Sequence, residues 1–345
     1  MRAGLIGLAI TYSRSFARGL RAVPGVELVA AADLGRDDTY VQRCLGVSKA
    51  QFAAEYGVRL YDDPAEMIRR EALEVVAVAP ETGENGRLAA VAAAAGARAI
   101  FVAKPFAHTL AAADAALAAA ASNGAVLGAA SPARQNPWLV AAKHAVDAGR
   151  VGELLTARVW AQHSAWPPAR LAPAHWTGRP DENEEAGSSD LSVSFYVTDA
   201  ALWLFHGRAP ERLAGEYANL ATPYSPYPDN GLASVRFDGG KLASLQMYFS
   251  MHWRAPGFGF ELVGSEGTIT GQTPQPGAAL YRAAGTESLV SASPDSELTA
   301  FVEAYRRGLA PPLSGADARR ALELCLAWRQ SSRQGGRPVH LPLNG

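Results

Sequence analysis

Ala3-Gly4-Leu5-Ile6-Gly7-Leu8-Ala9-Ile10-Thr11-Tyr12 opens the chain with an apolar run, a glycine and a segment able to begin a helix. A strand that turns through glycine straight into a helix gathers backbone N–H groups and the positive helix end at one point, a setting suited to a pyrophosphate. Aligned on Gly7 with the dinucleotide fingerprint G-x-G-x-x-G, the second glycine position holds Ala9 and the third Tyr12, so only the tight-turn glycine is kept. Taken alone, these ten residues read better as an ordinary strand-to-helix turn. Asp33 shifts the reading, because it ends the second apolar run at the distance expected of a carboxylate that grips ribose hydroxyls. In isolation it reads also as a turn or N-cap aspartate. As a ribose ligand it favours NAD. A 2′-phosphate would meet like charge there, offset in part by Arg36, which leaves NADP the lesser alternative.

Outward from this stretch, the first half of the chain alternates apolar runs with alanine-rich segments. Residues 3–6, 27–32, 75–79 and 99–102 read as strands buried on both faces, and residues 15–22, 87–95 and 110–121 as helices between them. This predicts an α/β class with an N-terminal Rossmann, doubly wound parallel sheet on which alanine lets helices pack closely. The texture changes after Gly128. Beyond a helix near 137–148, strand-like stretches at 154–163, 233–237, 243–250, 258–263 and 268–270 are punctuated by Asp229-Asn230-Gly231 and Asp238-Gly239-Gly240. These predict a C-terminal α+β domain with an open, mostly antiparallel sheet, a helix over 187–204 and closing helices over 297–308 and 315–333. We expect a dinucleotide-binding domain over 1–128 and a substrate-binding and oligomerisation domain over 129–345, its last helices able to pack back on the first.

The 345 residues, 48% of them hydrophobic, suffice to bury the cores of two domains. The 32 basic and 33 acidic residues are spread along the chain for a net charge of -1, so no basic stripe points to nucleic acid or membrane. Cys44 and Cys325 stand far apart without zinc or redox-pair spacing, and His, Asp and Glu do not cluster with ligand spacing, so no metal is expected. No Gly-x-Ser-x-Gly elbow supports a hydrolase. The first ten residues read as a strand and turn rather than a secretion signal, and no run of about 18 apolar residues reads as a membrane span. A reducing cytoplasm is the expected location.

Ala97-Arg98-Ala99-Ile100-Phe101-Val102-Ala103-Lys104-Pro105 ends an apolar run with a lysine held extended by proline, at a strand end that would face a ligand crevice. At this point the chain resembles the Gfo/Idh/MocA oxidoreductases, the family of glucose-fructose oxidoreductase and inositol dehydrogenase. Gly4-Leu5-Ile6-Gly7 resembles their opening strand and turn, and Val76-Ala77-Val78-Ala79-Pro80 the strand under the nicotinamide. Ala103-Lys104-Pro105 resembles their Glu-Lys-Pro motif, while residues 141–153, 261–267 and 297–339 resemble later elements. The resemblance implies an NAD(P)-dependent dehydrogenase or ketoreductase that moves a hydride between nicotinamide and a carbinol or ketone carbon of a sugar, cyclitol or related polyol. It implies cofactor contacts at Gly7, Ala9, Ile10, Asp33, Ala79, Pro80 and Lys104. It also implies a homodimer or homotetramer formed through the second domain's sheet. The large apolar residues at both parities of the predicted strands, Leu245, Met247, Phe249 and Met251 against Tyr248, fit a sheet with two apolar faces that needs such a partner.

The chain also departs from the family pattern. Where the family has Asp-x-x-x-His-x-x-Asp, it reads Ser192-Val193-Ser194-Phe195-Tyr196-Val197-Thr198-Asp199, so Ser192 replaces the aspartate and Tyr196 the histidine. Residues 192, 196 and 199 share a helical face by their i, i+4 and i+3 spacing. Tyrosine titrates near about 10 in isolation, and an adjacent ammonium favours the phenolate, so Tyr196 with Lys104 forms the candidate acid/base pair. Ala103 removes the motif glutamate, which would help position the lysine. Asn85 stands where a histidine is common. The substrate-binding candidates are Arg134, His163, Trp176, Ser192 and Asp199, with His175, Asn183 and Trp166 on neighbouring segments. The same departures also fit a second reading, a catalytically degenerate NAD(P)-binding regulator or scaffold.

Overall fold

The structure, a computed structural model, describes residues 1–162, 189–221, 227–248, 250, 257–272, 277–290 and 295–343. Among these, residues 1–130 and 295–319 form one compact unit; residues 131–162, those described between 189 and 290, and residues 320–343 form a second.

In the first unit, β1 (Arg2–Ile6), β2 (Glu27–Ala32), β3 (Arg59–Tyr61), β4 (Val75–Val78), β5 (Ala99–Val102) and β6 (Val126–Ala129) lie in the order β3-β2-β1-β4-β5-β6. Every neighbouring pair is parallel. The crossovers are α1 (Thr11–Ala22), α2 (Asp38–Leu45), α3 (Lys49–Tyr56), α4 (Pro64–Glu71), α5 (Asn85–Ala94) and α6 (Leu110–Asn123). β4 and β5 are buried along their whole length, as expected of central parallel strands covered on both faces. Small side chains allow that cover: Ala89, Ala92 and Ala93 of α5 and Ala113 and Ala116 of α6 are all fully buried. Strand order reverses between β1 and β4, which opens a crevice at their carboxyl ends. α2, α3, α4 and β3 were not among the expected elements. Each of those helices is eight residues long, too short for a 3.6-residue periodicity to stand out, and each is set by a capping residue, Asp37, Ser48 or Asp63.

The second unit holds α7 (Pro137–Asp147), β7 (Leu154–Gln162), α8 (Ser189–Ser192), α9 (Ser194–Leu204), β8 (Pro210–Ala218), β9 (Asn230–Phe237) and β10 (Leu242–Tyr248). It continues with β11 (Gly257–Gly264), β12 (Thr268–Gln272), β13 (Ala278–Arg282), β14 (Gly285–Leu289) and β15 (Val339–His340). Its nine strands run in the order β14-β13-β12-β11-β7-β10-β9-β8-β15, antiparallel except for the pair β7 and β10. The chain closes with α10 (Glu297–Arg306), which belongs to the first unit, and α11 (Gly315–Arg333). One sheet face is apolar and buried: Val159, Val235, Leu245, Met247, Phe260 and Leu262 form a single core with Val197, Ala200, Ala201 and Leu204 of α9.

Two expectations are corrected here. The helix read over 187–204 is two helices within the described residues, interrupted at Val193, whose carbonyl accepts the Tyr196 N–H at 3.1 Å. The second face of the sheet is mixed rather than apolar. It carries Arg158 paired with Glu261 at 3.1 Å and lying over the Trp160 ring at 5.0 Å, with Gln246 beside them, next to exposed Leu232 and Leu242. Phe249 and Met251 lie outside the described residues. No described helix is long and apolar enough to cross a membrane.

Glu71, at the end of α4, ties that helix to β1 and β3 by accepting from Arg2, Arg59 and the Tyr61 hydroxyl. The Tyr61 hydrogen bond, then the Arg59 and Arg2 charges, hold its carboxyl below the usual carboxylate range. A depressed folded-state value stabilises above the unfolded value of about 4.3, and that contribution is lost as pH falls through the folded value. Glu71→Gln is therefore expected to lower the melting temperature by a few degrees at pH 7 and to flatten the loss of stability below pH 4, read from thermal melts across pH 3–7.

Candidate functional site

In the first unit, the candidate residues stand just past the carboxyl ends of four strands: Gly7 after β1, Asp33 after β2, Ala79-Pro80 after β4, and Lys104 two residues beyond β5. Gly7 has a φ of +95°, and a Cβ there would lie 2.3 Å from Pro80 Cα, so no larger residue passes without moving backbone. The turns are pinned together. Gly7 N–H donates to Ala32 O at 2.8 Å, Ala79 N–H to Ile6 O at 2.8 Å, and Ser13 Oγ to Ala79 O at 3.1 Å. The N-cap of α1, Ile10, offers no side-chain hydrogen bond and the first turn holds no acidic residue, which leaves the positive helix end available to a pyrophosphate. Ala9 and Ile10 are buried.

The Asp33 carboxylate is buried, accepting the Gly35 N–H at 3.0 Å on Oδ1 and facing Lys49 Nζ at 2.8 Å on Oδ2. A carboxylate has about four acceptor positions, so capacity for ribose hydroxyls remains. Arg36 does not neighbour Asp33 by ion pairing; it pairs at 2.9 Å with Glu81, whose same oxygen accepts the Tyr40 hydroxyl at 2.7 Å. Burial, with the Glu81 carboxylate alongside, pushes the Tyr40 hydroxyl far above its usual range and keeps it a donor. Glu81 Oε2 is buried without a hydrogen-bond partner, an open acceptor directly after Pro80. An open helix end, a glycine turn and carboxylates with spare acceptors fit a dinucleotide. Lys49 and Glu81 were not sequence candidates; the available signal was an acidic residue immediately following Ala79-Pro80. Lys104 is buried, its Nζ 5.9 Å from the centre of the Tyr12 ring, so the residue at the third glycine position packs on the lysine's ammonium.

In the second unit, Arg134 and Asp199 are brought together. Arg134 Nη2 donates to Asp199 Oδ1 at 2.6 Å and Nε to Oδ2 at 3.2 Å, Ser131 Oγ donates to Oδ2, and the guanidinium lies 5.3 Å over Trp203. Asp199 is 1% exposed, so this pair sits inside the fold. Ser192 ends α8 and Tyr196 lies half-buried on α9 against the core. Sequence reasoning missed the buried pair of Asp190 with Arg329, at 2.6 and 3.1 Å. Tyr217, stacked on Trp328 at 4.6 Å, joins it by donating to the Asp190 carbonyl at 3.1 Å and lying 2.6 Å from Ser194 Oγ. His163 and Trp176, with Trp166, His175 and Asn183, lie outside the described residues. Among the described residues, no group of three or more His, Cys, Asp or Glu is placed to hold a metal.

Residues 1–131 match the oxidoreductase family model of an NAD-binding Rossmann fold, and residues 139–270 match the GFO/IDH/MocA C-terminal domain. The chain belongs to the Gfo/Idh/MocA family. It is an NAD-binding, NAD(P)-dependent dehydrogenase acting on CH–OH groups. It is 26% identical to the scyllo-inositol 2-dehydrogenase (NAD(+)) of Bacillus subtilis (strain 168), over 93% of this chain and 90% of that one. It is likewise 26% identical to the 1,5-anhydro-D-fructose reductase of Ensifer adhaerens, over 97% of each. Among solved structures, levoglucosan dehydrogenase in complex with NADH shares the fold with a TM-score of 0.84 at 19% identity, covering 99% of both chains.

Gly7→Ala is expected to weaken NADH binding at least about tenfold, because a strained turn must shift away from Pro80 to admit the methyl; fluorescence titration reads it. Asp199→Ala removes the bidentate partner of a mostly buried guanidinium and is expected to destabilise the protein by about 3 kcal/mol in urea unfolding.

Proposed function

We propose that the chain interconverts a secondary alcohol and a ketone on a sugar, cyclitol or related polyol, using NAD in preference to NADP. Lys104 orients the reacting oxygen and Tyr196 exchanges its proton. The observation that carries this reading is Lys104, a buried lysine just past β5 on the strand-end side of the NAD-binding unit. The relatives, by their names an inositol dehydrogenase and an anhydrofructose reductase, support the substrate class. Asp33 supports NAD, since its carboxylate accepts ribose hydroxyls and repels a 2′-phosphate.

Bound nicotinamide supplies the hydride acceptor for oxidation and the donor for reduction. Gly7, Ala9, Ile10 and the open end of α1 would hold the dinucleotide's pyrophosphate and Asp33 its ribose, with Ala79 and Pro80 lining the site. Lys104 donates a hydrogen bond to the substrate oxygen and steadies negative charge on it as the O–H proton leaves. Tyr196 takes that proton as the phenolate in oxidation and returns it as the phenol in reduction; a positioned acid/base group contributes roughly 10²–10⁴-fold to such a step. The pair of Arg134 with Asp199 braces α9, on which Tyr196 lies, while Ser192 and the candidates His163 and Trp176 contact substrate hydroxyls and ring. The first unit serves the cofactor and the second the substrate. The mixed face of the nine-stranded sheet packs on a second copy, its exposed Leu232 and Leu242 covered in a homo-oligomer.

The test is turnover on inositols, aldoses and their keto forms with NAD or NADH. Lys104→Ala and Tyr196→Phe are each expected to lower kcat by roughly 10²–10⁴-fold on the accepted substrate while NADH still binds. Full turnover in either variant refutes the role given to that residue, and NADH binding with no turnover on any polyol refutes the substrate class.

A further inference from the structure

We propose that Asn85 is a positioning residue for Lys104, holding the backbone on both sides of the lysine with one amide group; the inference rests on the role given to Lys104 above. Asn85 is the first residue of α5 and fully buried. Its Nδ2 donates to the Ala103 carbonyl at 3.1 Å and to the Pro105 carbonyl at 2.7 Å. Those are the residues immediately before and after Lys104. Two hydrogens on one nitrogen satisfy both flanking acceptors, whereas a histidine ring N–H or a hydroxyl would reach only one. Reversing the amide would set Oδ1 against two carbonyl oxygens, so the chemistry fixes its orientation.

The residues next to the lysine, Ala103, Pro105, Phe106 and Ala107, are all apolar, so the hold that Asn85 exerts falls on backbone carbonyls. A further anchor of the loop is the Ala103 N–H, which donates to Val78 O of β4 at 2.8 Å. A separate observation shows how closely α5 meets the loop. A Cβ on Gly86, the next residue, would lie 2.9 Å from Ala107 Cβ and 3.0 Å from Ala112 O. Asn85 Oδ1 is buried without a hydrogen-bond partner. An unmet buried acceptor costs stability, and the two loop carbonyls that Nδ2 satisfies offset that cost.

Asn85→Asp keeps the size but turns a carboxylate oxygen toward the two carbonyls, and Asn85→Leu removes both donors. Brief acylation of the cofactor-free protein with acetic anhydride, read lysine by lysine through peptide mass spectrometry, reports how well Lys104 is held, with Lys49 and Lys143 as internal references. Either variant is expected to raise Lys104 labelling by roughly tenfold relative to those references, as local protection is lost. On the accepted substrate, kcat is expected to fall by about 10²-fold with KM for NAD little changed, since a misplacement of about 1 Å carries a cost of that order. Should both variants fail to fold, Asn85→His keeps one donor and is expected to label Lys104 faster than wild type. Wild-type labelling of Lys104 in any folded variant overturns the proposal. Lys104→Ala with full turnover refutes the catalytic reading instead, and leaves the labelling result to decide the positioning claim by itself.

Discussion

The near-contact of Gly7 with Pro80 is the constraint around which the first unit is arranged. Two parallel strands whose following segments turn opposite ways must bring those turns together, and here no room is left for a side chain at Gly7. Once that approach is made, Ile6 O and Ala79 N–H can pair, Ser13 can bond the Ala79 carbonyl, and α1 begins with its N-terminus aimed past the strand ends. Asp33 and Lys104 need no separate device. The parallel order places each at the carboxyl end of its own strand, on the edge of the same sheet.

Much of this was legible because parallel strands buried on both faces leave an unbroken apolar run. Val75–Val78 and Ala99–Val102 are such runs, and each is buried throughout. Lys104 was legible for a related reason: a lysine ending such a run is chemically conspicuous. β8 was not, because only Leu213 of its nine residues is buried and the remainder carry the mixed polarity of a strand near a sheet edge. The break between α8 and α9 left no mark either, since Val193 keeps helical backbone angles and only the hydrogen-bond pattern changes. Lys49 and Glu81 escaped for a different reason, and Asn85 stood out only as a departure from the family pattern. Their significance lies in contacts with Asp33, Arg36 and the carbonyls flanking Lys104, and no local period encodes a pairing between distant positions.

The departures from the family motif look different once partners are known. Ala103 removes a side chain able to hold the lysine from within the loop, and Asn85 holds the same loop from outside it, through backbone carbonyls. Tyr12, which spoils the glycine fingerprint, packs near the Lys104 ammonium. A motif scored by identity records both as losses, whereas the geometry records a change in which atoms perform the holding.

The buried carboxylates of the two units differ in how their oxygens are engaged. Asp199 receives two nitrogens of Arg134 and the Ser131 hydroxyl, and Asp190 receives two nitrogens of Arg329. Removing either carboxylate leaves a buried guanidinium without its partner. Glu81 is different: one oxygen is engaged by Arg36 and Tyr40 while the other is buried with no partner. Folding alone would select against that arrangement, because an unmet buried acceptor is unfavourable. Its place next to Pro80, at the crevice where the strand order reverses, fits a site completed by a hydroxyl-bearing cofactor, and neither Asp190 nor Asp199 in the second unit keeps a buried oxygen open in that way.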